Sequence, residues 1–200
     1  PGAKAVVIGG GLLGLEAAAG LRLRGMDVTV LHLMGHLMER QLDEAAGYLL
    51  KKDLEKRGME VLLSASTKAI EGDGKVERVV LEDGTVLDAD IVCMAVGIRP
   101  AGQLGVEAGL TCGKAIVVDA QMRTSDPDIF AVGECVEFDG NLFGLVAPLY
   151  DQARVLARTL TGEGDAFAMR ELSTKLKVTG CDLFSLSLIH ISEPTRLGMI

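Results

Sequence analysis

The sequence predicts an α/β fold in which a parallel sheet carries an inserted antiparallel meander. Three observations support this fold class. An apolar strand runs directly into a glycine-rich turn and a helix at residues 5–19, and a second apolar segment follows at the distance of a β-α-β unit. Short strands separated by Asp-Gly and Gly-Asp turns come later. With 48% hydrophobic and 24% charged residues among 200, the chain has enough apolar side chains for one or two buried cores.

The glycine-rich turn has the pattern G-x-G-x-x-G, formed by Gly9, Gly11 and Gly14. In a Rossmann-like unit the first glycine permits a tight turn, the second lets main chain approach a pyrophosphate, and the third lets the helix lie against the sheet. The helix N-terminus also directs unpaired N–H groups and the positive end of its dipole at the phosphates. The motif therefore predicts a dinucleotide site, although a glycine-rich turn can also simply join a strand to a helix.

The remaining elements follow in chain order. Gly25 closes the first helix, and helical spacing of apolar residues predicts a second helix that Gly58 ends. The meander is predicted to contain tight two-residue hairpin turns, at Gly72-Asp73-Gly74 and at Asp83-Gly84. The predicted elements up to residue 97 are a second strand at 27–31, the second helix at 42–57, a third strand at 60–63, the meander strands at 69–70, 76–81 and 85–87, and a buried strand at 89–97 that completes the first sheet.

Shorter elements are predicted after Arg99-Pro100. We expect strands at residues 115–118 and 129–132, the second of which ends at Gly133-Glu134, and a helix at residues 149–160.

Composition excludes several functional classes. The net charge of −8 and the lack of a basic run argue against a nucleic-acid partner. We expect no membrane partner, since no apolar run is long enough to span a bilayer, and no secretory leader. The four cysteines have no C-x-x-C spacing and the three histidines do not cluster, so we predict no metal site, cysteines that behave as small buried apolar residues, and a reducing, cytoplasmic location.

Three segments together resemble one family, the flavoprotein reductases that bind both NAD(P) and FAD (pyridine nucleotide-disulfide-type oxidoreductases). These segments are Gly9 to Glu16, the stretch Ala95-Val96-Gly97-Ile98-Arg99-Pro100, and the pattern from Thr124 to Glu134. Within this family the chain is similar to the large subunit of NAD(P)H-dependent assimilatory nitrite reductase, through Glu134-Cys135 and residues 173–185. The family usually has Asp where this chain has Glu134.

The resemblance implies which residues bind cofactors. Glu16 would lie near the nicotinamide, although it also suits a helix start, where the dipole favours an acid. Gly97 would let the chain approach the nucleotide or would simply end a strand. Glu134 would accept hydrogen bonds from FAD hydroxyls or would be a solvated acid, and the helix near Val146 would face the flavin or be an ordinary amphipathic helix. The residues predicted to bind NAD(P)H are Gly9, Gly10, Gly11, Leu12, Leu13, Gly14, Glu16, His32, Arg40, Val96 and Gly97, and those predicted to bind FAD are Gly133 and Glu134.

One position departs from the usual pattern. After the second strand an Asp or Glu normally accepts from the adenosine 2′-hydroxyl, and this chain has His32 there. Without a carboxylate a 2′-phosphate is not repelled, so the sequence predicts weak discrimination between NADH and NADPH. Arg40 would either approach the 2′-phosphate or be an exposed arginine before the next helix.

The resemblance also implies a domain plan for a longer protein. Residues 1–98 would be the NAD(P)-binding domain, residues 99–163 the C-terminal half of the FAD-binding domain, and residues 164–185 the start of an interface domain. The N-terminal half of the FAD domain would precede Pro1, and iron–sulfur and sirohaem modules that reduce nitrite to ammonia would follow. Other flavoprotein reductases, serving ferredoxin or rubredoxin, and a non-catalytic nucleotide-binding fragment are the alternatives.

Residues 186–200 depart from the family pattern. They resemble the translation of a sequencing adaptor, and we exclude them from functional inference as a non-native tail. The competing interpretation is a genuine strand with an apolar edge at Leu186, Leu188 and Ile191.

Overall fold

The computed structural model describes residues 2–170, 172–178 and 181–187. The described chain forms two compact units. One comprises residues 2–97 together with the two strands after residue 171, and the other comprises residues 98–170. The assignment of these units to nicotinamide and flavin domains stays a prediction. Of the tail predicted to be non-native, residues 186–187 lie in a strand and residues 188–200 lie outside the described residues.

The first unit is built on a four-stranded parallel sheet. Its elements in chain order are β1 (Lys4–Ile8), α1 (Leu12–Leu23), β2 (Asp27–Leu31), α2 (Glu44–Lys56), β3 (Met59–Leu62), β4 (Thr67–Glu71), β5 (Arg78–Leu81), β6 (Val86–Asp88) and β7 (Ile91–Met94). The strand order in the parallel sheet is β3-β2-β1-β7. The prediction that the strand after the meander completes the first sheet is therefore confirmed.

Helix α2 begins at a side-chain cap. The predicted start of α2 at Leu42 is two residues early, because the Asp43 side chain accepts from the Ala46 N–H at 2.8 Å and so caps the helix. The predicted apolar face of α2 is right for Leu50 and Leu54, which are buried, but wrong for Leu49, which is 67% exposed.

Alternate residues of β1 face two different cores, as a period of two requires. Val7 packs with α1 and α2, whereas Val6 packs with the meander residues Val79 and Leu81. Helices thus cover one face of the parallel sheet and the meander covers the other.

The meander is a separate antiparallel sheet in the order β4-β5-β6. Its connections are longer than predicted: residues 72–77 join Glu71 to Arg78, and residues 82–85 join β5 to β6. In the second turn the Asp83 carboxylate accepts the Thr85 N–H at 2.9 Å, and main-chain bonds also close it, since Gly84 donates to the Leu81 carbonyl at 3.1 Å and Leu81 donates to the Thr85 carbonyl at 2.9 Å.

Strand β7 was predicted to be buried, and this expectation is wrong. Ile91 is 40% exposed and Met94 is 65% exposed. Among the described residues β7 is an edge strand that pairs only with β1, so on each face its side chains lack the neighbouring side chains that a further strand would place beside them.

The second unit contains a small sheet and a long helix. Its elements are α3 (Gln103–Glu107), β8 (Ile116–Val117), β9 (Val136–Phe138), β10 (Asn141–Leu142) and α4 (Val146–Thr161). The order is β10-β9-β8, with β8 and β9 parallel. The strand predicted at residues 129–132 is absent, because Phe130 makes only one bridge, to Arg123. The core of the second unit contains Val118, Met122, Val136, Phe143, Val155 and Phe167.

Two further strands follow. β11 (Leu172–Val178) and β12 (Cys181–Ser187) form an antiparallel hairpin, and Leu176 and Val178 are buried in the core that α1 and α2 cover. The hairpin therefore completes the helical face of the first unit.

Candidate functional site

The candidate site lies at the carboxyl ends of the parallel strands. The Gly9 N–H donates to the Leu31 carbonyl at 2.8 Å, and the Ala95 N–H donates to the Ile8 carbonyl at 2.8 Å. The turns after β1, β2 and β7 are thereby brought together. β1 is followed by α1 and then by β2 on one side, while β7 lies on the other side of β1, so this edge is the switch point where open parallel sheets bind ligands.

Two of the motif glycines are required by the protein itself. Gly9 has φ +119°, and a Cβ there would overlap the Ala95 carbonyl oxygen. A Cβ on Gly14 would overlap the Gly9 carbonyl oxygen. Both glycines therefore let the turn and the first turn of α1 lie directly against the neighbouring main chain.

Gly11 differs from these two. It has φ −84° and ψ −176°, which any residue can adopt, and a Cβ there would meet no heavy atom within 4 Å. Neither backbone strain nor packing against residues that the structure describes requires a glycine here. The open space lies in front of α1, whose N-terminus has no side-chain cap and no acid in its first turn. The first N–H groups of a helix, here from Leu12 and Leu13, have no intrahelical partners, so the space suits an anionic group such as a diphosphate.

Gly10 has both of its main-chain polar groups engaged. Its N–H donates to Nδ1 of His32 at 3.0 Å, and its carbonyl accepts the Met38 N–H at 3.0 Å. A Cβ on Gly10 would come within 2.8 Å of the His32 ring carbon Cγ. The loop is therefore fixed in place before any ligand arrives.

His32 is 7% exposed, and both of its ring nitrogens have partners. Its Nε2 lies 3.0 Å from Oε2 of Glu39. His32 thus supports the glycine turn from beneath, and its predicted part in binding NAD(P)H stays a prediction. Position 32 supplies no carboxylate, but Glu39, seven residues later in the chain, brings one next to His32.

The other predicted nucleotide-binding residues lie around the same edge. Glu16 is half-buried within α1, and Arg40 is exposed in the turn that follows Glu39. Val96 is 65% exposed. Gly97 has φ +106°, and a Cβ there would meet no heavy atom within 4 Å. Their roles toward a cofactor stay predictions.

The second unit contains the two residues predicted to bind FAD. Gly133 has φ +104° and Glu134 is exposed in the turn before β9, rather than at the end of a strand as predicted. The Gly133 N–H donates to Oε1 of Gln152 at 2.8 Å. Gln152 is fully buried on α4, and its Nε2 has no hydrogen-bond partner among the described residues.

Sequence reasoning gave Gln152 no role. The available signal was an amide on the face of α4 that also carries the buried residues Pro148 and Val155. A buried side-chain amide usually forms a hydrogen bond with a main-chain group, as Gln152 does by accepting from the Gly133 N–H.

Among the described residues, no group of His, Cys, Asp and Glu could hold a metal ion. In the same part of the chain, no helix has the length and apolar character needed to cross a bilayer. The described cysteine side chains, those of Cys93, Cys112 and Cys135, are free thiols and are half-buried rather than buried as expected.

The strand order, the glycine turn and the uncapped helix give the first unit the architecture of a Rossmann-type fold. A family model described as pyridine nucleotide-disulphide oxidoreductase matches residues 1–158. The chain belongs to this family.

Several known proteins are similar over most of the chain. Nitrite reductase [NAD(P)H] of Bacillus subtilis is 53% identical over 194 residues, which cover 96% of this chain and 24% of that protein. The nitrite reductase (NADH) large subunit of Escherichia coli is 37% identical over 96% of the chain and 23% of its own length. The chain thus spans about a quarter of these curated relatives.

Solved structures show the same fold. A NAD-dependent persulfide reductase from A. fulgidus has a TM-score of 0.81 and 36% identity, covering 88% of this chain and 34% of that one. A putidaredoxin reductase in covalent complex with putidaredoxin has a TM-score of 0.86 and 30% identity, covering 93% and 46%.

Proposed function

We propose that the chain is the nicotinamide-binding domain and the C-terminal half of the FAD-binding domain of a flavoprotein reductase that takes hydride from NAD(P)H to FAD. In the whole protein these electrons would serve the reduction of nitrite to ammonia. The observation that carries the proposal is the open space at Gly11. The described residues would tolerate a side chain there, so the glycine keeps the space free for a ligand.

The residues of the first unit would bind and orient the nucleotide. Main-chain N–H groups of Gly11, Leu12 and Leu13 would donate to the diphosphate, with Gly9 and Gly14 keeping the turn close to the sheet. Val96 and Gly97 would lie along the nicotinamide half, because the turn after β7 leaves the same edge of the sheet. Glu16 would lie near the ring.

The residues of the second unit would hold part of the flavin. Glu134, an exposed carboxylate, would accept hydrogen bonds from hydroxyl groups of FAD, and Gln152 would fix the Gly133 turn that carries it. When bound, NAD(P)H supplies a hydride that FAD accepts, and FAD can then release electrons singly. We assign no acid, base or nucleophile, since the protein contributes orientation and electrostatics.

The nitrite-reducing step rests on the relatives. Their names describe nitrite reductases, and this chain spans about a quarter of their length, so the iron–sulfur and sirohaem modules would lie in other parts of a longer protein. The unpaired thiols of the described cysteines support a reducing cytoplasm as the compartment.

A second candidate is a reductase for a ferredoxin-type protein. The likeness to putidaredoxin reductase favours it, and the same nucleotide-binding residues would serve both functions. A whole protein with this function would differ from a nitrite reductase only in the modules that receive the electrons.

Titration of the 200-residue chain with NADH, followed through the amide resonances of the glycine turn, tests the nucleotide site. We expect the amides of Gly11, Leu12 and Leu13 to shift with NADH and with ADP-ribose, which both carry the diphosphate. AMP lacks the diphosphate and serves as the control that leaves these amides in place. The chain should bind nucleotide weakly and be colourless, and failure of NADH to move any amide of the turn would overturn the proposal.

A further inference from the structure

The pairing of His32 with Glu39 gives the site an acidic group that the sequence pattern did not reveal. We propose that Glu39 accepts the 2′-hydroxyl of the adenosine ribose and repels a 2′-phosphate, so that the chain prefers NADH to NADPH. His32 acts as the positioning residue for Glu39. The inference rests on the proposed nucleotide site and assigns its specificity.

The hydrogen bonds of His32 fix which nitrogen carries the proton. Nδ1 accepts the Gly10 N–H at 3.0 Å, and a nitrogen that accepts cannot itself hold a proton. The ring therefore carries its proton on Nε2, where it donates to Oε2 of Glu39 at 3.0 Å. A single ring orientation thus ties the glycine turn to the carboxylate.

The segment that carries Glu39 is fastened to the glycine turn at a second point. Met38 donates its N–H to the Gly10 carbonyl at 3.0 Å and is fully buried together with Leu37. Met38 also has φ 53°, a left-handed conformation that non-glycine residues seldom adopt. Such a conformation persists when surrounding contacts enforce it, and here it brings the next residue, Glu39, to His32.

The position of Glu39 suits the adenosine end of a dinucleotide. His32 directly follows β2, and an acid at this edge is where the ribose of a bound dinucleotide is recognised. The Glu39 side chain is 30% exposed, whereas that of His32 is 8% exposed, so the carboxylate can be reached from solvent while its support is buried. A carboxylate has acceptor sites left after one hydrogen bond.

The charge of Glu39 determines the sign of the preference. A carboxylate accepts from a hydroxyl and repels a phosphate at the same place. Arg40 follows Glu39 and is exposed, and its cation would have the opposite effect. Because His32 holds Glu39 in place, while no side chain among the described residues bonds to the Arg40 guanidinium, the acid should dominate.

Binding of NADH and NADPH to the 200-residue chain, measured by calorimetry, tests the assignment. We expect wild type to bind NADH at least about tenfold more tightly than NADPH, and Glu39→Gln to narrow that ratio about tenfold, mainly through tighter NADPH binding. Glutamine can still accept from His32, so the turn keeps its support. Glu82→Gln, in the exposed turn between β5 and β6, removes the same charge away from the site and should leave the ratio unchanged.

Two substitutions of His32 separate its two contacts. In His32→Asn the amide oxygen takes the place of Nδ1, whereas in His32→Gln the amide nitrogen takes the place of Nε2. We expect His32→Asn to lose discrimination with only a small loss of NADH affinity, from the weakened bond of Glu39 to the 2′-hydroxyl, and His32→Gln to weaken both nucleotides while retaining discrimination. If His32 only stabilised the fold, the two substitutions would not change NADH affinity and the preference for NADH over NADPH separately.

The outcomes distinguish two failures. If wild type binds neither nucleotide, the proposed nucleotide site itself is wrong. If wild type binds NADH but Glu39→Gln leaves the NADPH-to-NADH ratio of Kd unchanged, or if wild type prefers NADPH, the assignment of Glu39 is overturned while the nucleotide site stands.

Discussion

Replacing Gly11 with alanine tests whether the open space before α1 belongs to a ligand. The backbone at Gly11 suits alanine, and the added Cβ meets no heavy atom within 4 Å. We expect the free energy of unfolding to fall by no more than about 1 kcal/mol, the usual cost of alanine at a helix N-cap. The methyl group would nevertheless occupy the space that the diphosphate needs. Loss of one charge-assisted hydrogen bond costs about 1.5–3 kcal/mol, which raises the Kd for NADH about 10- to 150-fold.

Gly14→Ala is the matched control for this substitution. Its Cβ would overlap the Gly9 carbonyl oxygen, so the main chain must move, at a cost of about 1–3 kcal/mol or more. Calorimetric titration with NADH and urea unfolding on the same preparations measure both quantities. Gly11→Ala should lose affinity and keep stability, while Gly14→Ala should lose both. Wild-type affinity in Gly11→Ala would refute the reasoning, because the space would then serve no diphosphate.

Three further predictions concern support within each unit. Gln152→Ala removes the acceptor of the Gly133 N–H and leaves a cavity, so urea unfolding should show a loss of about 2–4 kcal/mol. Asp43→Ala removes the N-cap of α2 and should cost about 1 kcal/mol in the same assay. The hydrogen bond and charge of Lys4 lower the pKa of Asp88 in the folded chain. The Lys4–Asp88 pair therefore stabilises the fold fully at pH values above the pKa of Asp in the unfolded chain. This stabilisation is lost as the pH falls through the lowered pKa of the folded chain. Between pH 6 and pH 2 the midpoint temperature of thermal unfolding should therefore fall less steeply for Asp88→Asn than for wild type. Added salt should reduce this difference.

The first β-α-β unit could be predicted from sequence because its signals are local. The bounds of β2 agree with the prediction, and the glycine turn defines both the end of β1 and the start of α1. Each of these elements is specified by neighbouring residues, through alternation, helical spacing and a glycine that ends or begins a turn.

The errors lie where the structure depends on pairing between distant segments. Residues 129–132 have the composition of a strand, but a strand needs a partner, and Phe130 pairs only once, with Arg123. Likewise the apolar sequence of β7 is the same whether the strand is central or at an edge, so its exposed residues Ile91 and Met94 could not be predicted.

Glu39 shows the same limit within the candidate site. The sequence pattern directs attention to the residue directly after β2, where His32 stands without a carboxylate. Glu39 reaches that edge only because Met38 adopts a left-handed conformation and bonds to Gly10, and neither fact follows from spacing. A site residue supplied by an irregular turn is visible only when the turn is folded.

The hydrogen bonds of Gly10 also determine which amides remain for a diphosphate. Since its N–H serves His32 and its carbonyl serves Met38, the donors to a diphosphate in the proposed site would come from Gly11 onward, at the start of α1. The loop is held in this form by contacts already present without ligand, so little ordering should accompany binding. It follows that a substitution which frees Gly10 should weaken NADH binding through added disorder of the turn, even where it removes none of the proposed donors to the diphosphate.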